Sequence, residues 1–86
     1  MPRFLIITTR TPAFSVDGRA NHSAYLDSLS ESGKLIMRGP FSDSTGGAYL
    51  IEAESLAEAG RIAFADPLIQ SGGSTCVVKE WQIRGQ

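Results

Sequence analysis

The chain opens on an unbroken apolar and β-branched run, Phe4-Leu5-Ile6-Ile7-Thr8-Thr9, which stops where Arg10-Thr11-Pro12 breaks regular pairing. This predicts a first strand. After a loop to about Gly18 the period lengthens. His22, Tyr25, Leu26 and Leu29 stand at i, i+3, i+4 and i+7, which predicts a helix over residues 19–32 with those four side chains on one face. Ser15 or Asp17 is suited to cap its start, and Gly33 to close it at the C′ position. Residues 34–37 predict a second strand ended by Gly39-Pro40. The turn-forming stretch 42–47 leads into a third strand over 48–51, so the two form a hairpin.

Ser55-Leu56-Ala57-Glu58 has the form of a capping box, in which the serine hydroxyl accepts from the Glu58 amide and the Glu58 carboxylate reaches back to the Ser55 N–H. Leu56, Ala59, Ile62 and Ala63 then give a second helix a narrow apolar stripe. Pro67 disfavours helical backbone at the residue before it, so this helix ends near Asp66. Beyond Ser71-Gly72-Gly73, residues 75–83 predict the last strand.

The order βαββαβ predicts an α+β chain of the ferredoxin-like kind: one four-stranded antiparallel sheet with two helices on one face. Residues 1–86 are read as a single domain. Several strands are apolar on both faces, with Phe4 and Ile6 opposing Leu5 and Ile7, and Leu35 and Met37 opposing Ile36. A sheet covered on one side should alternate more cleanly. A second copy on the open face, giving a homodimer, is therefore expected.

Composition narrows the function. A formal net charge of −1 and a pI near 5.7 supply no basic field for phosphate backbones or anionic membranes. Neither nucleic acid nor a membrane is an expected partner. Tyr49 alone, with acidic neighbours, supplies neither the exposed aromatics nor the basic face that an RNA-binding sheet needs. The lone Cys76 excludes an internal disulfide and fits a reducing, cytoplasmic compartment. No apolar run is long enough for a membrane span or a signal-peptide core. One histidine and one cysteine are too few for a typical zinc site, and neither glycine-rich stretch has the phosphate-loop pattern. No metal or other cofactor is expected.

Topology brings candidate chemistry to one end of the sheet. His22 lies in the first turns of helix one and Asp66 at the end of helix two, which runs antiparallel to it. Thr8 and Arg10 at the end of strand one, and Ser74 at the start of strand four, arrive at the same end. Helical spacing turns His22 toward the sheet. A carboxylate beside it would hold one ring nitrogen and leave the other to take or give a proton, a workable acid/base pair. The plainer alternative is a half-buried helix histidine and an aspartate that stops a helix before proline. Arg10, Arg19 and Arg38 are candidate partners for an anionic substrate group, with a solvated surface role as the alternative for each.

The same residues carry a resemblance to the YCII-related, or YciI-like, family. It rests on Arg19-x-x-His22, Gly39-Pro40, Thr45-Gly46, Glu54-Ser55 and Asp66-Pro67 in order and at matching spacing over nearly the whole chain. The resemblance implies a dimeric α+β barrel with His22 and Asp66 as the catalytic pair. It also implies a cofactor-independent lyase acting on a small molecule with a phenolic or quinonoid ring. The family's assigned chemistry is dehydrochlorination of a chlorinated hydroxyhydroquinone in chloroaromatic degradation. Many members add a serine where this chain has Gly47, so Ser74 or Thr8 would have to replace that hydroxyl. Thr8, Arg10, Arg38 and Ser74 are the candidate substrate-binding residues. A non-catalytic small-molecule-binding domain on the same scaffold is the alternative function.

Overall fold

Strand β1 (Arg3–Arg10) alternates strictly, with Phe4, Ile6 and Thr8 buried on one face and Leu5 and Ile7 half-buried on the other. The computed structural model describes residues 1–85. After β1 come α1 (Val16–Glu31), β2 (Leu35–Pro40), β3 (Gly46–Glu52), α2 (Leu56–Phe64), α3 (Pro67–Gln70) and β4 (Ser74–Glu80). The strands form one sheet in the order β2-β3-β1-β4, and every neighbouring pair is antiparallel. This is the expected ferredoxin-like α+β arrangement, with a short third helix added.

The core lies between the sheet and the two long helices. Phe4, Ile6, Tyr49 and Ile51 from the central strands pack with Leu26 and Leu29 of α1 and with Ala59, Ile62 and Ala63 of α2. Two alanines on the α2 stripe let that helix sit close to the sheet. Fully burying each of Phe4, Ile6 and Ile51 contributes about 1.5–3 kcal/mol. On the hairpin side the sheet carries a bulge between Leu35 and Met37. It returns Arg38 to the helix face, where its guanidinium donates to Asp27 Oδ1 (2.7 Å) and to the Ser23 carbonyl (3.3 Å).

Local chemistry accounts for most boundaries and for the departures from expectation. Ser15 is the N-cap of α1, its hydroxyl accepting from Gly18 N–H, so α1 starts a turn earlier than residue 19. Gly33, at φ +80°, ends it as predicted. Pro40 stays within β2 opposite Gly47 because β2 is an edge strand, where a missing N–H costs no ladder bond. The Ser55 hydroxyl accepts from Glu58 N–H as the capping box requires, but the Glu58 carboxylate accepts from Glu54 N–H rather than from Ser55. Leu56 departs from the predicted stripe: at the first position of α2 it is 57 % exposed. The last strand stops at Glu80, three residues short of the predicted end. Among the described residues no helix is long and apolar enough to cross a membrane.

Candidate active site

The segment 65–67 decides the geometry of the site. α2 ends at Ala65, and Asp66 turns extended as the N-cap of α3, with Pro67 at that helix's first position. Asp66 thus belongs to the junction between two helices, not to the last turn of α2. It is fully buried. One carboxylate oxygen, Oδ1, accepts from Leu68 N–H at 3.0 Å. The other, Oδ2, accepts from Nδ1–H of His22 at 2.5 Å. A buried carboxylate with both oxygens committed to donors is a fixed group, because releasing either donor strands a desolvated charge.

His22 comes to this carboxylate because it shares the inward face of α1 with Leu26 and Leu29, both buried. Its side chain stays 20 % exposed. With Nδ1–H given to Asp66, the proton sits on Nδ1, and Nε2 across the ring has no protein partner among the described residues. The imidazole borders a cavity of about 290 Å³. That is near the lower end of the roughly 300–1,000 Å³ typical of small-molecule sites, room for one substituted ring.

All four candidate substrate-binding residues, Thr8, Arg10, Arg38 and Ser74, line this cavity with His22, whereas Asp66 stands behind His22 and is not part of the wall. Their availability differs. The Thr8 hydroxyl donates to the Gly47 carbonyl and accepts from Gly47 N–H, both at 3.2 Å, so the hairpin already engages it. Arg38 is paired with Asp27. The Arg10 guanidinium lies over the Phe14 ring, 4.2 Å from its centroid. The Ser74 hydroxyl is buried with no hydrogen-bond partner. Gly47 leaves no room for the family's serine: a Cβ there would lie 2.6 Å from the Gly39 carbonyl oxygen, so backbone of β2 occupies the space.

Sequence reasoning missed Tyr49 and Phe14 as cavity residues. The β3 alternation carries a signal for the first, since Tyr49 shares the helix-facing side with Ile51. The Tyr49 ring tilts at 59° to His22, with centroids 6.2 Å apart. Its hydroxyl is buried without a partner. Burial, followed by the Asp66 charge and then by Tyr25 and Cys76, pushes its phenol well above the ordinary tyrosine range. Burial and Asp66 likewise raise Tyr25, whose hydroxyl donates to the Ile62 carbonyl at 2.8 Å and ties α1 to α2. They raise the Cys76 thiol as well, which keeps it protonated and a packing group.

These shifts have a sign in stability. Both phenols ionise at higher pH in the folded chain than an unfolded tyrosine, which ionises near pH 10. Above about pH 10 the folded state holds more protons than the unfolded one, so stability falls as pH rises further. The urea midpoint is expected to hold up to about pH 9.5 and to drop as pH rises from about 10 to 11.5. Tyr49→Phe should flatten that drop, and a wild-type midpoint constant over the range would contradict the assignment.

The fold and the site together define a class: a small ferredoxin-like α+β protein with a histidine held by a buried aspartate at the edge of a ring-sized cavity. The chain belongs to the YCII-related family, whose domain model matches residues 3–82. It is 49 % identical over 84 residues to the uncharacterized protein YjpA of Bacillus subtilis (strain 168), covering 98 % of this chain and 99 % of that one. Among solved structures it is similar to 5-chloro-2-hydroxyhydroquinone dehydrochlorinase (TftG) from Burkholderia phenoliruptrix AC1100, in complex with 2,5-dihydroxybenzoquinone. The TM-score is 0.78 at 29 % identity, covering 93 % of each chain.

Proposed function

We propose that this chain is a cofactor-independent lyase acting on a small phenolic or quinonoid ring, with His22 as acid/base and Asp66 as the group that orients it. The observation that carries this reading is the His22 Nδ1–H to Asp66 hydrogen bond at the cavity wall. It leaves Nε2 unprotonated and able to accept a proton from a bound ring. The structural similarity to a dehydrochlorinase supports the reaction type. In that reaction the ring carbon bearing chlorine takes a proton as one ring hydroxyl becomes a carbonyl; a second ring hydroxyl then gives its proton to His22 Nε2, the electron pair of that O–H bond re-forms a carbonyl through the ring, and the carbon–chlorine pair departs with chloride. Loss of HCl then turns a chlorinated hydroxyhydroquinone into a hydroxyquinone, and the electrons balance without an external oxidant. Asp66 stabilises the imidazolium formed on the way. A cytoplasmic setting suits the lone thiol of Cys76.

The test is chloride release and absorbance change with a panel of chlorinated and unchlorinated hydroquinones. Turnover of a chlorinated member supports the lyase reading. Tight binding across the panel with no product would replace it with a non-catalytic small-molecule-binding domain.

The working unit in this proposal is a homodimer formed by the open face of the sheet. That face presents Leu5, Ile7, Ala48, Leu50 and Val77 in paired positions on three adjacent strands, with Val77 52 % and Met37 61 % exposed. A chain of this size gains much of its stability by covering such a surface. Light scattering should give twice the chain mass for the wild type and the monomer mass for Met37→Glu/Val77→Glu. A monomeric wild type at micromolar concentration would remove the dimer from the proposal.

A further inference from the structure

The His22 cavity is one-sided in its electrostatics. Arg10, Arg19, Arg38 and His22 line it, and among the described residues no aspartate or glutamate does. Asp27 compensates Arg38, and Asp66, behind the wall, is engaged by His22 and Leu68. Among the described residues neither Arg10 nor Arg19 has an ion pair. Two arginines of the cavity wall therefore have no ion pair among the described residues. Arg10 is the more ordered of them, because stacking on Phe14 covers its face while leaving its edge N–H donors open.

The uncharged hydroxyls leave the arginines as the free donors of the cavity. The Ser74 and Tyr49 hydroxyls, on residues 3 % and 2 % exposed, lack any hydrogen-bond partner. Each is a donor without an acceptor, and the raised phenol of Tyr49 stays a donor. Both oxygens are sealed from solvent, so neither offers a ligand in the cavity a hydrogen bond. The Thr8 hydroxyl, which could have supplied one, is engaged by Gly47.

We infer that the cavity takes its ligand as an anion: a small ring bearing a deprotonated oxygen, held by Arg10 and Arg19. This deepens the lyase reading and rests on the His22 cavity being a small-molecule site. It names a substrate class, an acceptor-rich phenolate or enolate in place of a neutral arene. It also divides the labour in the cavity. The guanidiniums hold the oxygen already ionised, and His22 Nε2 meets the proton that remains.

The experiment is calorimetric titration of the wild-type chain with 4-nitrophenol and with 4-nitroanisole, its neutral methyl ether, at a pH where the phenol is ionised. The phenolate should bind at least about tenfold more tightly, as expected for one charge-assisted hydrogen bond. Its affinity should weaken as ionic strength rises from about 0.05 to 0.5 M. Arg10→Gln and Arg19→Gln should each lower phenolate affinity about five- to tenfold and leave the anisole unchanged. Equal affinity for phenolate and anisole, no effect of either arginine variant, or no phenolate binding at millimolar concentration would overturn the inference. Chloride release on the hydroquinone panel is a separate readout. Turnover together with equal affinities removes the anion site alone, whereas selective phenolate binding without turnover removes the lyase reading alone.

Discussion

Replacing Asp66 with asparagine should lower turnover by about 10²- to 10⁴-fold, a loss of the size seen when a general base is disabled. The cause is a change of tautomer. In the wild type Asp66 Oδ2 accepts from His22 Nδ1–H, which leaves Nε2 with a free lone pair. The introduced asparagine could keep its carbonyl oxygen on Leu68 N–H, replacing the bond that Oδ1 now makes. Its amide NH₂ would then face Nδ1, which must become the acceptor. The proton moves to Nε2, and the nitrogen at the cavity can no longer take one. His22→Ala removes the base outright and should cost as much in rate. It also leaves the buried carboxylate short of a donor, at about 1–3 kcal/mol of stability. Because His22 is the only histidine of the chain, nitrogen-15 chemical shifts report its tautomer without overlap. Wild-type turnover in Asp66→Asn, with the proton shown to lie on Nε2, would end the mechanism.

Gly46→Ala is expected to be the most destabilising single methyl addition in the chain, at about 3 kcal/mol. The φ of Gly46 is +157°, and a Cβ there would sit 1.9 Å from the Thr8 carbonyl oxygen and 2.8 Å from its carbon. Both atoms are backbone of β1, a central strand, so no side-chain rotation relieves the overlap. The β1–β3 pairing must open where Arg10 N–H donates to the Thr45 carbonyl at 2.8 Å. Such a loss is a large part of the stability of a small domain. Gly60 is the control. It lies inside α2 with nothing within 4 Å of its Cβ position, so Gly60→Ala should gain about 0.5–1 kcal/mol by helix propensity. Urea unfolding of both variants at matched protein concentration decides the matter, and two variants of equal stability would refute the backbone overlap as a source of instability.

Gly46 and Gly47 also show how a single sequence can be legible at one level and opaque at the next. Their place in a turn-rich stretch marks a hairpin, and a hairpin is there. That they are squeezed between the backbones of β1 on one side and β2 on the other is invisible to local pattern. Close approach of one strand to another depends on register across the sheet, where Thr8 pairs with Gly47 and Pro40 with the same residue.

The helices follow the same division. Capping by Ser15 and Ser55 and closure by Gly33 are local hydrogen bonding and backbone freedom, readable from residue types. The exposure of Leu56 was not readable, because the first turn of α2 overhangs the edge of the core. Asp66-Pro67 announced the end of a helix. Whether Asp66 would then cap α3 or face solvent turned on where α3 docked, since Leu68 is buried against the site end of the domain.

Three features were thus legible in the residues alone: the order of elements, the inward turn of His22 through its spacing from Leu26 and Leu29, and the end of the sheet at which the candidate residues gather. They rest on periodicity and chain direction, which act within a few residues. Three others emerged only in the assembled fold. Asp66 is fully buried and bonded to Nδ1, Thr8 is engaged while Ser74 and Tyr49 are not, and two arginines of the cavity wall have no ion pair among the described residues. Those properties depend on which groups, far apart in sequence, are brought within about 3 Å of one another and which are not.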